Sequence, residues 1–110
     1  MKKQYKPARQ QNKSLNRAIR VANGITWDDG EPYIDEKCRI YAASQKKVNG
    51  RLVWMIYFQS AESLDSGNRM LKFVGLPAIV VSKDGRYGFY DLFSPYSLEE
   101  VVEAILKENY

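Results

Sequence analysis

Residues 39–59 read Arg-Ile-Tyr-Ala-Ala-Ser-Gln-Lys-Lys-Val-Asn-Gly-Arg-Leu-Val-Trp-Met-Ile-Tyr-Phe-Gln, and the reading of this stretch decides the fold. Asn49-Gly50 predicts a two-residue type I′ turn, because both central positions need positive φ and these residue types tolerate it best. Pairing Val48 with Arg51 then sets Ala43 across from Ile56 and Tyr41 across from Phe58 on one face. Ser44 meets Met55, and Ala42 meets Tyr57, on the other. The second strand is apolar without a break from Leu52 to Phe58, the pattern of a central strand covered on both faces. Trp54, on that strand, is expected to be more buried than Trp27.

Downstream, Ser60–Val74 reads as a helix with Leu64, Met70, Leu71 and Val74 on its inner face, although Gly67 lies within it. Gly75 and Pro77 stop it. Pro77–Ser82 is a short apolar strand, Lys83-Asp84-Gly85-Arg86 holds an Asp-Gly turn signal, and Tyr87–Phe93 returns as a strand. The last helix is the best marked. Ser97 caps it, Glu100 closes a capping box, and Tyr96 with Val101 forms a hydrophobic staple. Leu98, Val101, Val102, Ile105 and Leu106 give it a wide apolar face.

Upstream, Ile25–Glu36 is an acidic, turn-rich loop pinned to the core by Trp27 and Tyr33. Ser14 reads as an N-cap, with Leu15, Ala18, Ile19 and Ala22 as the apolar stripe of a short helix over 15–23 that Asn23-Gly24 ends. Residues 1–13 offer little to bury and read as a basic, loosely held arm. The expectation is therefore an α+β fold: an arm over 1–13 and a single small domain over 14–110. The element order is α-ββ-α-ββ-α, with helices packed on a mostly antiparallel four-stranded sheet.

Composition narrows the chemistry. A chain of 110 residues, 45% of them apolar, suits one domain with one modest core. No apolar run approaches the roughly 18 residues that would span a bilayer. No apolar segment follows the basic N-terminus, and a single Cys fits a reducing compartment, so a cytoplasmic protein is expected. The absence of His removes Ser-His-Asp and Cys-His systems, His-bearing zinc sites and an imidazole base. One Cys forms neither a redox pair nor a thiolate cluster. A binding protein without cofactor is expected rather than an enzyme.

The net charge of +4 hides an asymmetry. Residues 1–20 carry Lys2, Lys3, Lys6, Arg9, Lys13, Arg17 and Arg20 and no acid, while the remainder has a net charge of −3. Such cations neutralise phosphates and release condensed counterions, which makes the basic segment a candidate nucleic-acid contact. The alternatives are a solubilising tail and a tail folded against the acidic loop of its own domain. Arg86-Tyr87-Gly88-Phe89-Tyr90 resembles part of the strand signature of RNA-recognition modules. That resemblance implies base stacking by Tyr87 and Phe89 beside Arg86, against core packing as the alternative. The element order departs from the one those modules use.

The acids Asp28, Asp29, Glu31, Asp35 and Glu36 are oxygen donors of the kind hard cations prefer, or else a solvated loop. Asp35-Glu36-Lys37 also resembles the D/E-x-K ending of a nuclease superfamily, in which the acids hold a metal and the Lys assists water. No metal site is expected here. Cys38, between Lys37 and Arg39, would have a lowered thiol pKa if exposed; the competing reading is a half-buried strand residue.

Residues 52–106 resemble the C-terminal half of the thioredoxin fold in Gly75-Leu76-Pro77, Lys83-Asp84-Gly85 and the Ser97-capped helix. The resemblance implies a cis Leu76–Pro77 bond, but the redox Cys-x-x-Cys of that family is absent. Three functions follow in order of preference. The first is a non-enzymatic nucleic-acid-associated protein. The second is a small protein-interaction module, such as a phage or mobile-element inhibitor or adaptor, using Trp27, Asp28, Asp29, Glu31 and Tyr33. The third is a redox-inactive thioredoxin-like domain. No membrane partner is expected.

Overall fold

The computed structural model describes residues 6–107, with side chains from Lys13 onward. Helix α1 spans Lys6–Asn23, strands β1 and β2 span Cys38–Val48 and Arg51–Ser60, and helix α2 spans Ala61–Ser66. Strands β3 (Ala78–Ser82) and β4 (Tyr87–Tyr90) and helix α3 (Leu98–Leu106) complete the α-ββ-α-ββ-α order. The four strands form one antiparallel meander, β1-β2-β3-β4. No helix among the described residues is long and apolar enough to cross a membrane.

The central hairpin has the turn that Asn-Gly dictates: φ is +50° at Asn49 and +79° at Gly50. Val48 pairs with Arg51, Ser44 with Met55, Ala43 with Ile56 and Ala42 with Tyr57. One pair differs from expectation. A bulge between Ile40 and Ala42 puts Ile40, not Tyr41, across from Phe58, and turns Tyr41 outward to solvent. The extra residue lets a compact aliphatic side chain fill the slot beside Phe58.

Alternation along β2 and β3 divides the core in two. Val53, Met55, Ala78 and Val80 pack on Val101, Val102 and Ile105 of α3. Ile56, Phe58, Ile79 and Val81 pack on Ala18 and Ala22 of α1 and on Ile25. The sheet thus lies between α1 and α3. Fully buried side chains such as Ile56 and Ile79 contribute about 1.5–3 kcal/mol each through removal from water.

Three elements end where local chemistry, not the apolar pattern, decides. Helix α1 starts at Lys6 rather than at Leu15. Its early residues are Lys, Ala, Arg and Gln, all strong helix formers, and Pro7 falls in the first turn, where its missing N–H costs nothing. Ser14 is consequently mid-helix and no cap. The helix expected over Ser60–Val74 closes at Gly67 (φ +74°), and a single 3-10 turn follows at Arg69–Leu71. Met70 and Val74 are therefore exposed instead of forming an inner face. Strand β4 stops at Tyr90 because Asp91 makes a turn: its Oδ1 accepts from the Phe93 N–H at 2.6 Å and its carbonyl from Ser94 at 3.0 Å.

Helix α3 has the full capping box of Ser97 and Glu100, while Tyr96 lies mostly in solvent and the expected staple with Val101 buries little of it. No cis peptide bond occurs among the described residues, so Leu76–Pro77 is trans, where the thioredoxin resemblance implied cis. Trans is the ground state of X–Pro bonds by about 0.5–1 kcal/mol, and Pro77 needs nothing else to lead into β3.

Candidate nucleic-acid interface

Positions 6, 9, 13, 17 and 20 recur at helical spacing in α1 and fall on one stripe, opposite Leu15, Ala18, Ile19 and Ala22. Lys13, Arg17 and Arg20 are exposed on that stripe. Lys2 and Lys3 lie outside the described residues, as do the side chains of Lys6 and Arg9.

The meander supplies further cations. Val53 pairs with Ser82, so the Asn49-Gly50 turn and the 83–86 turn meet at the same end of the sheet. Between them and α1 opens a cleft of about 640 Å³, bordered by Arg17, Arg51, Leu52, Ser82, Lys83 and Asp84. A smaller hollow of about 300 Å³ shares Arg17, Ser82 and Lys83 with it and is also lined by Lys13, Ser14 and Trp54. Four cations, Lys13, Arg17, Arg51 and Lys83, therefore border these two hollows with one carboxylate, Asp84. The Trp54 indole N–H donates to Ser14 Oγ at 2.8 Å and ties α1 to the sheet beside it. Trp54 is half-buried and Trp27 57% exposed, the expected order.

Asp84 is held in place. It bonds Ser82 Oγ and lies 3.2 Å from Arg86 Nε. The Ser82 hydroxyl is the main cause that keeps its carboxyl below the usual carboxylate range. Arg86, placed by the sequence among the nucleic-acid contacts, has structural work. Its Nη1 donates to the carbonyls of Leu106 at 3.0 Å and Ile105 at 3.5 Å, satisfying the C-terminus of α3.

Tyr87 and Phe89 share a face, as expected, but that face is covered. Phe89 packs at 5.0 Å from Tyr33, which itself stands 5.7 Å from Phe58, and Tyr87 meets Phe89 edge-on at 6.1 Å. Both rings are half-buried against the α1 side of the core. The structure places them in packing, away from the cleft.

The acidic loop is an ordered hairpin. Thr26 bridges Pro32, the Trp27 N–H donates to the Glu31 carbonyl at 2.8 Å, and Asp29 Oδ1 accepts from the Glu31 N–H at 3.0 Å. Trp27 leans on Tyr33 at 4.9 Å with its outer face in water. Asp28 and Asp29 are exposed, as is Glu31. Among the described residues no three of Asp, Glu, Cys and His gather as a metal site. Asp35 Oδ1 accepts from the Lys37 N–H at 2.9 Å, a turn contact. Cys38 is half-buried at the start of β1, and burial, then the Asp35 charge, pushes its thiol pKa up. The lowered pKa expected of an exposed Cys38 does not arise.

Arg51, Lys83 and Trp54 were not legible as site residues in the sequence. The available signal was the pair of tight turns, since consecutive antiparallel hairpins must bring alternate turns to one end of the sheet. Compared with known proteins, the chain matches no family model, no curated protein and no solved structure.

Proposed function

We propose that this chain is a non-enzymatic nucleic-acid-binding protein that holds the phosphate backbone at the hairpin-tip end of its sheet. One observation carries the reading: Lys13, Arg17, Arg51 and Lys83 border two hollows that share Arg17, Ser82 and Lys83. Arg20 is exposed on the same stripe of α1. Cations from separate elements fix a backbone in register, while bases are read elsewhere or not at all. In this reading the α1 stripe and the two turns, rather than an arm over 1–13, make the main contact.

The test is fluorescence anisotropy with labelled duplex and single strands over a salt series. Four phosphate contacts predict a slope of log K against log[salt] near −3.6 for duplex and near −2.8 for single strands. At about 50 mM salt each contact's counterion contribution is worth roughly tenfold. The pair Arg17→Glu and Lys83→Glu is therefore expected to weaken binding on the order of a hundredfold and flatten the duplex slope by about two. Tyr87→Ala is expected to leave the slope unchanged. Absence of binding at about 50 mM salt, where the counterion contribution is strong, rejects the proposal.

A second reading has one observation in its favour. Trp27 is a large side chain kept half in water by a hydrogen-bonded acidic loop, the form of an anchor for a basic protein partner. Trp27→Ala abolishing capture of such a partner, with nucleic-acid binding absent, would select it.

A further inference from the structure

The opposite end of the sheet carries a surface of different chemistry. Ala78 pairs with Tyr90 where the β3–β4 ladder ends, so the segment entering β3 and the segment leaving β4 emerge side by side. The first exposes Met70, Phe73 and Val74, the second Leu92, Phe93 and Tyr96. Val74 is 92% and Phe93 90% exposed. These loops are tied down. Gln59 Nε2 donates to the Phe73 carbonyl at 3.2 Å, and its Oε1 accepts from the Phe73 N–H at 2.8 Å. Asn68 Oδ1 accepts from the Met70 N–H at 2.9 Å, and Ser94 Oγ from the Tyr96 N–H at 3.1 Å. Single exposed apolar residues need no explanation, but six on the two hydrogen-bonded loops at one end of the sheet mark that end as a candidate interface.

The charges around the patch select its occupant. Arg69 and Lys72 belong to the first loop, whereas Asp91 and Glu99 flank the second. A two-fold contact sets the first loop of one copy against the second loop of another, and so brings opposite charges together on both sides of the axis. A partner of one sign would match one loop and repel the other. Edge-to-edge pairing of β1, the other simple route to a homodimer, is discouraged by the exposed Lys46 and Lys47 on that edge, while its Arg39 is paired with Asp65. We infer that the chain forms a two-fold homodimer through this loop end, residues 69–76 of each copy meeting residues 91–99 of the other. The two basic clefts then point away from the interface.

Sedimentation equilibrium of the full chain at about 1–200 μM tests this, since a homodimer's population depends on protomer concentration. A reversible monomer–dimer equilibrium is expected, weakened roughly tenfold or more by Val74→Asp and by Phe93→Asp. Both side chains face water, so circular dichroism is expected to stay unchanged, as is the thermal midpoint at concentrations low enough to keep the chain monomeric. Two charge variants provide an independent readout that survives any loss of folding in these. A chain with Arg69→Glu and Lys72→Glu, mixed with one carrying Glu99→Lys, is expected to associate more tightly than either alone. A chain that stays monomeric throughout the range overturns the inference. So does a dimer indifferent to Val74→Asp and to the charge-variant mixture.

Discussion

The two ends of the sheet are built from the same four strands and carry opposite chemistry. At one end both connections are tight turns, Asn49-Gly50 and Lys83–Arg86, with no room for a side chain that needs burial. Their water-facing positions go to charge, and Arg17 of α1 adds another cation between them. At the other end the connections are long, residues 61–77 and 91–97, and hydrogen bonds from Gln59, Asn68 and Asp91 hold apolar side chains outward. Connection length thus decides which surface each end can present. Tight turns concentrate fixed charge, and longer loops display shape. Backbone binding needs the first and protein contact the second.

The largest test asks whether the two ends stand on one support. Ile79 is fully buried at the centre of β3, whose ends lead to both surfaces. Ile79→Ala is expected to cost about 2–5 kcal/mol, the range for large-to-small changes in a packed core. Denaturant titration is expected to show nucleic-acid binding and self-association lost in the same transition. Separate transitions would mean that the ends fold independently.

How far this division could be read from sequence depends on whether the deciding contact is local. The register from Ser44 to Val48 follows from two residues with positive φ, and the Ser97–Glu100 box closes within one turn of helix; both were legible. The Tyr41 bulge was not, because it answers the packing around Phe58, which α1 and the Tyr33 loop complete from a distance. The start of α1 is not legible, because Ser14 has the chemistry of a cap, yet its hydroxyl serves Trp54, forty residues away in sequence. Val74 and Met70 followed a helical spacing that Gly67 interrupts. The cations of α1 were visible as a charge run, whereas Arg51 and Lys83 join them only through the meander.

A crossed pair of substitutions sharpens the comparison with a smaller effect. Ser14→Ala removes the acceptor of the Trp54 N–H beside the cleft, and Gln59→Ala removes both side-chain contacts to Phe73 at the loop end. At the roughly 1 kcal/mol net worth of an ordinary hydrogen bond, Ser14→Ala is expected to cost about 1 kcal/mol and Gln59→Ala about 2 kcal/mol. Ser14→Ala is expected to shift Trp54 emission and weaken nucleic-acid binding without altering self-association. Gln59→Ala is expected to do the reverse. If either variant moved both readouts, the ends would be coupled through the sheet.

The smallest effect lies in Asp84, the carboxylate bordering the cleft. Its carboxyl is held below the usual range, first by the Ser82 hydroxyl, with desolvation opposing and Arg86 adding to the lowering. A folded pKa below the unfolded one stabilises the ionised native state. That contribution is present above the unfolded value, about 3.9, and is lost as pH falls through the folded value. The side chain is more than half exposed, so the loss is slight, and Asp84→Asn is expected to remove the pH dependence it causes. Binding is expected to move the other way. Protonating Asp84 takes the carboxylate out of the cleft and leaves the cations, so affinity for a phosphate backbone rises as stability falls. Thermal melts and anisotropy over the same acid range check both signs on one protein. If affinity fell together with stability, the Ser82–Asp84–Arg86 contacts would be holding the turn in its binding shape, and Asp84 would matter as a support and not as a charge.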